Sequence, residues 1–399
     1  MRLTRRDLLT SAVAGAAAGS LAAGQTPTPE PAPSGFDPWV EVHAAHLAHN
    51  LREVARVAGQ PVLAVVKNNG YGLGVTTVAR LLEPAREVAG FAVVKRQEAE
   101  SLRDAGVAKP VLLMGPIGRS EILDLQRRRI TPMVYTAVGD ALEQAATRTG
   151  SAVPIHVCVD TGIGRVGVPH DRAEPLIRDL AARRGVRLDG VMMTFTEDLA
   201  FDREQLRRFE TLTARLRADG LDLGRRHAAS TYTLFQHPDA MLEMVRPGMA
   251  LWGLYPEAAF AGQGRLELRP AVALRARVAY VKKLAAGTSA GYSRAFMATE
   301  DTWVATVPVG HADGWPRLAA KGATVAIGGR RYPVVASVSA SHTIVDLGPG
   351  AEPPVGVGDI ATCFDWTPGS RPEDVAAACG ASVYDLTMHL GGHLPRRVV

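Results

Sequence analysis

The stretch 62-VLAVVKNNGYGLG-74 contains the first strongly apolar strand that the sequence predicts, and a lysine stands at its end. Its run of Val, Leu and Ala predicts a strand with both faces buried, as in a parallel sheet. The strand runs directly into Lys67, and a polar, glycine-rich turn with Tyr71 follows. Lys67 is one of only six lysines in the chain, so its position at the end of an apolar strand needs a chemical explanation.

Similar apolar runs recur over the next two hundred residues and alternate with amphipathic helical stretches. Eight such strand–helix units predict an α/β fold, a (β/α)8 barrel of the TIM type, with a doubly wound sheet as the alternative. In a barrel, catalytic groups lie at the C-terminal ends of the strands, which is the position of Lys67. The predicted strands are residues 62–66, 91–94, 111–114, 132–135, 154–159, 190–193, 226–228 and 243–246.

The pattern changes after Gly264, where short strands are separated by Gly and Pro turns and helices become rare. We therefore assign residues 39–263 to the barrel and residues 264–399 to a mostly β C-terminal domain. The strands predicted in this second domain are residues 273–284, 302–309, 324–327, 334–338, 343–347 and 360–364.

The first 38 residues belong to neither domain. Residues 1–24 combine an arginine pair, Arg5 and Arg6, with an apolar run and small residues, a pattern typical of a twin-arginine signal peptide. The run is short and interrupted by glycine and serine, which argues against a stable membrane anchor, although an uncleaved tethered N-terminus is the alternative. Residues 25–38 carry five prolines and predict a linker. The sequence thus predicts export to the periplasm or the medium.

Composition limits the classes of function. A chain of 399 residues that is 47% hydrophobic can bury a large core or two domains. Its net charge of +5 comes from scattered arginines and includes no long basic run, so nucleic acid is not an expected partner. Three cysteines, Cys158, Cys363 and Cys379, allow at most one disulfide, and the sequence leaves a Cys363–Cys379 bridge open. We assign no metal site.

Lys67 alone has two explanations. A lysine that ends a strand often extends its ammonium group to the surface. Alternatively, burial at the mouth of a barrel lowers the pKa of the amine and makes it nucleophilic towards an aldehyde.

The surrounding motifs favour the second explanation. Residues 65-VVKNNGYGLG-74 resemble the pyridoxal-phosphate attachment segment of the alanine racemase family, with a lysine, a tyrosine four residues later and a glycine pair. The resemblance extends from about residue 39 to residue 397 and implies a fold type III enzyme with pyridoxal 5′-phosphate as cofactor. Later segments that match the family in the same order are 156-HVCVDTGIGRVG-167, 227-HAAST-231, 244-MVRPGMALWG-253, 290-AGYSRAF-296 and 306-TVPVGHADGWPR-317.

The resemblance implies a role for each matching residue. Lys67 would hold the cofactor and act as a base on one face of the substrate Cα, and Tyr292 would be the base on the other face. Arg165 would be the positive neighbour that lowers the pKa of Tyr292. Arg246, oriented by His227, would face the pyridine nitrogen. The residues implied for the phosphate are Tyr71, Thr231, Gly248, Met249 and Tyr384.

The resemblance also implies a homodimer with shared active sites. Lys67 and Arg165 belong to the predicted barrel, whereas Tyr292 belongs to the predicted β domain. In the family, this tyrosine reaches the barrel of the other subunit.

Several positions depart from the usual family residues. Cys158 stands where many members have a lysine, and Thr194 stands where a histidine is expected. His311 replaces a tyrosine of the substrate entrance, and Ala340 replaces a methionine; both replacements are smaller. Because excluding one methylene is worth only ~1–3 kcal/mol, we expect a range broader than alanine, with substrates such as serine, methionine, lysine or arginine.

Three functions fit the sequence. The first is a pyridoxal-phosphate-dependent amino acid racemase that uses Lys67 and Tyr292 as two bases. The second is a lyase or decarboxylase on the same scaffold, which gives no reason to keep both bases. The third is a non-catalytic exported amino-acid-binding protein, which needs neither the lysine nor the phosphate site. The complete motif set favours the racemase.

Overall fold

The computed structural model describes residues 32–399 as two domains. The signal peptide predicted at residues 1–24 and the linker residues 25–31 lie outside the described residues. The strands are β1 Trp39–Val42, β2 Val62–Val65, β3 Val88–Val93, β4 Val111–Leu113, β5 Ile130–Val134, β6 Val153–Asp160, β7 Val168–Pro169, β8 Val186–Met192, β9 Arg225–His227, β10 Val272–Arg277, β11 Tyr280–Leu284, β12 Ser289–Ala290, β13 Phe296–Met297, β14 Thr302–Val307, β15 Thr324–Ile327, β16 Arg330–Val335, β17 Thr343–Gly348, β18 Ile360–Phe364 and β19 Arg396–Val398.

The helices lie mostly between the strands of the first domain, and two follow the last long strand of the second. They are α1 Ala44–Ala58, α2 Lys67–Tyr71, α3 Val75–Leu82, α4 Arg96–Asp104, α5 Ile122–Arg127, α6 Gly139–Thr149, α7 Ala173–Ala182, α8 Leu199–Ala218, α9 Thr231–Gln236, α10 Ala258–Ala261, α11 Pro372–Cys379 and α12 Val383–Met388.

The first domain is the predicted (β/α)8 barrel. Its strands pair in parallel in the order β2-β3-β4-β5-β6-β8-β9, and β7 is a short addition to β6. Val, Leu, Ile and Ala dominate the strands and are almost fully buried, because helices cover the outside of the sheet and side chains fill its interior.

The eighth strand of the barrel is shorter than predicted. Val245 accepts a hydrogen bond from the amide of Leu63 (2.9 Å) and donates one to the carbonyl of Pro61 (3.0 Å), which closes the sheet. Instead of a strand over residues 243–246, the structure has an isolated parallel bridge between Val62 and Val245. Pro247 has no amide hydrogen, so a regular ladder cannot continue through it.

The second domain is the predicted mostly β domain, built on a nine-stranded sheet in the order β11-β14-β17-β16-β15-β18-β10-β1-β19. One assignment needs correction: the barrel range of residues 39–263 was predicted to start at Trp39, but β1 belongs to this second sheet. It pairs antiparallel with β10 and parallel with β19. All four residues of β1 are buried, so the chain crosses the β domain before it enters the barrel.

A direct contact with the β domain fixes the loop that carries Lys67. Gly72 has φ +88°, and a Cβ on it would lie 1.9 Å from the carbonyl oxygen of Thr387 in α12. The carbonyl of Gly72 also accepts hydrogen bonds from Arg396 Nη2 (2.8 Å) and Nε (3.1 Å). Only glycine fits this close approach, which anchors the mouth of the barrel to the β domain.

Three further features bear on function. Within residues 32–399, no helix is both long and apolar enough to cross a membrane. In the same described part of the chain, no group of three or more His, Cys, Asp or Glu side chains is arranged to hold a metal ion. Cys158, Cys363 and Cys379 are all buried and free, so the bridge that the sequence left open between the last two is not formed.

Candidate active site

A cavity of about 520 Å³ opens at the C-terminal ends of the barrel strands. Side chains from different barrel strands and from the loops that follow them converge on it, as expected for this fold. Tyr384, at the start of α12, brings the β domain to the same cavity. The predicted site residues that line the cavity are Lys67, Tyr71, Arg165, Thr231, Arg246, Gly248, Met249 and Tyr384.

Lys67 is presented by a left-handed turn. Asn68, Asn69, Gly70 and Tyr71 all have positive φ values, between +53° and +62°. Asn and Gly tolerate this conformation better than other residues, which explains the Asn-Asn-Gly sequence after the lysine. Tyr71 bears most of the strain, of order 1–3 kcal/mol, and its burial against the ring of Trp252 offsets it.

The environment of Lys67 makes its amine reactive. Burial lowers the pKa of Lys67, the positive charge of Arg165 lowers it further, and the carboxylate of Glu98 partly opposes both effects. Glu98 also accepts a hydrogen bond from the amide of Asn69 (2.8 Å), so it stabilises the turn itself. A lysine with a lowered pKa has a larger neutral fraction at physiological pH and is a better nucleophile towards an aldehyde.

Another part of the cavity wall, beside Tyr71, forms a cradle for an anion. Thr231 Oγ1 accepts hydrogen bonds from the amides of Gly248 (3.1 Å) and Ala250 (3.2 Å), and the amide of Met249 has no partner among residues 32–399. A Cβ on Gly248 would lie 2.2 Å from Tyr71 Oη, so only glycine leaves room beside that hydroxyl. Amides and hydroxyls that converge without a carboxylate fit the phosphate of pyridoxal phosphate.

Arg246 is fixed by a chain of buried histidines. Its Nη1 donates to His227 Nδ1 (2.8 Å) and to the carbonyl of His227 (2.6 Å), and its Nη2 donates to the carbonyls of Met193 (2.7 Å) and Ala228 (3.3 Å). His227 Nε2 in turn lies 2.8 Å from His156 Nδ1. His227 is completely buried, and Arg246 and His156 are almost completely buried. Three carbonyls and His227 Nδ1 accept hydrogen bonds from the four Nη protons of the guanidinium.

The hydrogen-bond directions in this chain follow from chemistry. Because Arg246 only donates, His227 Nδ1 must accept, so the proton of His227 is on Nε2 and points at His156. Burial, with Arg246 adding to it, holds the pKa of His227 far below its ordinary value, and burial lowers the pKa of His156 to about 4. Both rings are therefore neutral near pH 7.

Arg246 has one donor left for a ligand. Its Nε–H has no acceptor among the described residues, and Arg246 lines the cavity. Burial lowers the pKa of Arg246 to about 10, which still leaves it a cation at neutral pH. This arrangement fits a pyridine nitrogen, which can accept a hydrogen bond from the guanidinium without receiving its proton.

Arg165 and Cys158 also line the cavity, and Arg165 is near enough to Lys67 to affect its pKa. Arg165 is exposed and forms no ion pair within residues 32–399, so its charge is available to a ligand. Burial raises the pKa of Cys158 to about 11, so its thiol is neutral and supplies no negative charge to Arg165. Thr194, which stands where a histidine was expected, also lines the cavity.

Three predicted site residues lie away from the cavity of their own chain. Tyr292 is 72% exposed, and His311 and Ala340 are exposed as well. They share a surface of the β domain: the amide of His311 donates to the carbonyl of Ser339 (3.0 Å), and a Cβ on Gly291 would lie 2.5 Å from Ala336. The structure therefore brings these three residues close to one loop, residues 336–342, but not to Lys67.

The structure adds two residues that the sequence reasoning missed. His156 was quoted within a motif but received no role, because a histidine inside an apolar strand has no distinctive spacing. Glu197 lines the cavity, yet in sequence it precedes Asp198, the N-cap of α8, and resembles an ordinary acidic helix start. Both depend on contacts between distant segments, which periodicity does not reveal.

Comparisons with known proteins agree with this geometry. The model for "Alanine racemase, N-terminal domain" matches residues 42–256, and that for "Alanine racemase, C-terminal domain" matches residues 271–398. An alanine racemase of Desulforamulus reducens is 33% identical over 367 residues, which cover 90% of this chain and 98% of the relative. An alanine racemase of Methanococcus maripaludis is 30% identical, with 90% and 97% covered. The solved alanine racemase of Clostridium difficile 630 superposes with a TM-score of 0.83 at 26% identity, covering 91% of this chain and 95% of that one.

Proposed function

This chain belongs to the alanine racemase family, whose members depend on pyridoxal 5′-phosphate, and from that premise we propose that it is an amino acid racemase. It would interconvert the L and D forms of alanine and of longer amino acids. The observation that carries the proposal is the single cavity that joins a lysine of lowered pKa, a cradle for phosphate and the fixed guanidinium of Arg246.

Lys67 is proposed to act as one of two bases. When bound, pyridoxal phosphate withdraws electrons from the substrate and makes its Cα proton acidic. Lys67 would first hold the cofactor through its amine and then, once substrate displaces it, take or return a proton on one face of Cα. Its lowered pKa serves cofactor attachment and proton removal, because both need a neutral amine.

Arg246 would limit side reactions. The guanidinium can hydrogen bond to the ring nitrogen through Nε but retains its proton at neutral pH, since its pKa stays at about 10. Electron withdrawal is then weaker than it would be beside an acid that protonates the ring. We infer that this favours simple return of a proton to Cα. The neutral His227–His156 pair fixes the guanidinium without neutralising it.

The second base is proposed to be Tyr292 of the partner subunit. In its own chain Tyr292 is 72% exposed and does not line the cavity, although the reaction needs a proton donor on each face of Cα. A homodimer in which the β domain of each subunit meets the barrel of the other would place the phenol near Arg165. A guanidinium beside the phenol would favour its deprotonated form, which a base requires.

The substrate range is proposed to extend beyond alanine. His311 and Ala340 share the exposed surface with Tyr292, so a dimer that places Tyr292 at the cavity brings them to its entrance. An imidazole and a methyl group leave more room there than the tyrosine and methionine usual in the family. The imidazole also offers a donor and an acceptor to a polar side chain.

Export through the twin-arginine route is part of the proposal. Residues 1–24 support it through the Arg5-Arg6 pair and the short apolar run. That route carries folded proteins, which suits a chain that takes up its cofactor in the cytoplasm. Replacing both arginines, Arg5→Lys with Arg6→Lys, should retain the protein inside the cell, measured by fractionation; unchanged export would point to the general secretory route.

One experiment separates the racemase from its alternatives. The purified protein should absorb visible light through its lysine-bound cofactor, and chiral chromatography should show D-amino acids formed from L-alanine and from longer substrates. Bound cofactor without inversion would support a lyase or decarboxylase, and no cofactor uptake at all would support a binding protein.

The curated relatives, which are named alanine racemases, favour neither alternative. Longer substrates at least about a hundredfold poorer than alanine in kcat/KM would contradict the broad range.

A further inference from the structure

Glu197 occupies an unusual position in the cavity wall. Among the described residues that line the cavity, the charged side chains are Lys67, Arg165, Arg246 and Glu197, so Glu197 is the one acidic group. It lies in the loop between β8 and α8, close enough to Tyr384 that its carboxylate helps to raise the pKa of that phenol. It therefore stands at the rim of the cavity.

The backbone of Glu197 is held in a conformation that glutamate rarely adopts. Its φ is +69°, in the left-handed region, at a cost of order 1–3 kcal/mol. Asp202, which is fully buried, accepts a hydrogen bond from the Glu197 amide (3.1 Å), and Tyr232 Oη donates to the Glu197 carbonyl (3.1 Å). Asp202 is itself held by His237 Nε2 at 3.0 Å. These contacts fix the backbone from which the side chain extends.

The carboxylate of Glu197 has no cationic partner. It forms no hydrogen bond or ion pair with any residue between 32 and 399, whereas Glu98, Glu204 and Glu243 are all bonded to amides or arginines. Although much of the side chain is exposed in a single chain, burial of the carboxyl raises the pKa of Glu197, and Asp202 and Glu257 raise it further. A partly desolvated anion that extends from a fixed backbone, with other acids nearby, is an unsatisfied site for a cation.

We propose that Glu197 is a specificity-determining residue that binds the cationic end of a basic amino acid side chain. This rests on the proposed racemase function. A lysine, ornithine or arginine substrate would place its α-amino group at the cofactor beside Lys67 and extend its ammonium or guanidinium group to the rim, where Glu197 pairs with it. A neutral side chain gains nothing from the carboxylate, and an acidic one is repelled.

The matched substrates L-lysine and L-norleucine test this proposal, since their side chains have the same four-carbon length and differ by the terminal ammonium group. The variant Glu197→Gln keeps the shape and removes the charge. We expect it to lower kcat/KM for L-lysine by about tenfold relative to that for L-norleucine, the loss typical of one charge-assisted hydrogen bond. High salt should reduce the lysine preference of the wild type and leave that of Glu197→Gln nearly unchanged.

Glu257→Gln is the control, because Glu257 lies near the same loop but does not line the cavity. It should leave the lysine-to-norleucine ratio close to that of the wild type. Glu197→Asp keeps the charge on a shorter side chain and should retain more of the lysine preference than Glu197→Gln. An unchanged ratio in Glu197→Gln, or an equal change in Glu257→Gln, would overturn the proposal.

A binding measurement separates this proposal from the proposed function. Titration of the cofactor-loaded protein with L-lysine and with L-norleucine reports binding through the cofactor absorbance, whether or not inversion follows. Tighter lysine binding that disappears in Glu197→Gln would support the role of Glu197 even if no amino acid were racemised. If alanine and norleucine were racemised but the wild type and Glu197→Gln bound L-lysine equally well, the racemase function would stand. The proposed role of Glu197 would then be refuted.

Discussion

The two halves of the proposed active site differ in how complete they are within one chain. The contacts of the barrel half are complete within one chain. Arg246 has four of its N–H groups bonded, Glu98 anchors the Lys67 turn, and the phosphate cradle is formed. The β-domain half, with Tyr292, is folded but exposed, and Tyr292 does not line the cavity of its own chain. Under the proposed function, one subunit is sufficient to bind the cofactor, whereas two are needed to invert an amino acid.

The largest loss of racemisation should come from a substitution in the barrel half. Lys67→Ala removes both the covalent attachment point of the cofactor and one base, so racemisation should fall by at least about 10⁴-fold and the lysine-bound absorbance should vanish. Absorbance spectra and chiral chromatography measure the two losses separately. A Lys67→Ala protein that still holds its cofactor through a lysine would show that the attachment site is elsewhere.

The β-domain half should affect turnover but not cofactor binding. Tyr292→Phe removes the proton donor of one face, so inversion should slow by about 10²–10⁴-fold while the absorbance of the bound cofactor stays at the wild-type level. Arg294→Gln, on the same exposed turn, is the control for a mere surface change. Inversion by Tyr292→Phe at nearly the wild-type rate would mean that Tyr292 is not a base.

Substitutions at the proposed substrate entrance, His311 and Ala340, should change which amino acids the enzyme prefers. His311→Tyr combined with Ala340→Met restores the bulk usual in the family and should depress kcat/KM for methionine or lysine about tenfold more than for alanine. The measurement is kcat/KM for each substrate in both proteins. An equal loss for all of them would mean that His311 and Ala340 do not form the entrance, and that the β-domain half contributes Tyr292 alone.

The smallest expected effect is a shift in the pH dependence of cofactor uptake. Only a neutral amine attacks the aldehyde of the cofactor, so the rate of cofactor uptake by the apoprotein should rise with pH around a midpoint below that of an unperturbed lysine, because burial lowers the pKa of Lys67. Arg165→Gln removes a positive neighbour that also lowers this pKa, so the midpoint should move to higher pH. Arg172→Gln, an exposed arginine outside the cavity, should leave it unchanged. A midpoint that stays or falls in Arg165→Gln would contradict the assignment.

Much of the barrel half could be predicted from sequence because its signals are local. The apolar run before Lys67 predicts the strand, the glycine-rich sequence after it predicts a turn, and Pro247-Gly248 marks the end of the closing segment. Two fold details could not be predicted. The first is the sheet to which the strand at residues 39–42 belongs, because the pattern of its residues suits either sheet. The second is the closure of the barrel by one bridge at Val245, where Pro247 interrupts the ladder.

The remaining site residues depend on contacts between distant parts of the chain. His156 acts through His227, 71 positions later, and Asp202 and Tyr232 hold the backbone of Glu197. No spacing rule in one strand or helix records such contacts. The position of Tyr292 relative to Lys67 is a matter of assembly, which is why the sequence predicts it only by resemblance.

Mixing two inactive variants tests the shared site most directly. Equal amounts of Lys67→Ala and Tyr292→Phe chains, dissociated and reassociated together, should form heterodimers in which one of the two sites has both Lys67 and Tyr292. Random pairing makes half of the dimers mixed, so activity should recover to about one quarter of the wild-type value per subunit. A mixture no more active than the sum of its two components, or a fully active wild-type monomer in sedimentation, would contradict an active site built from two subunits.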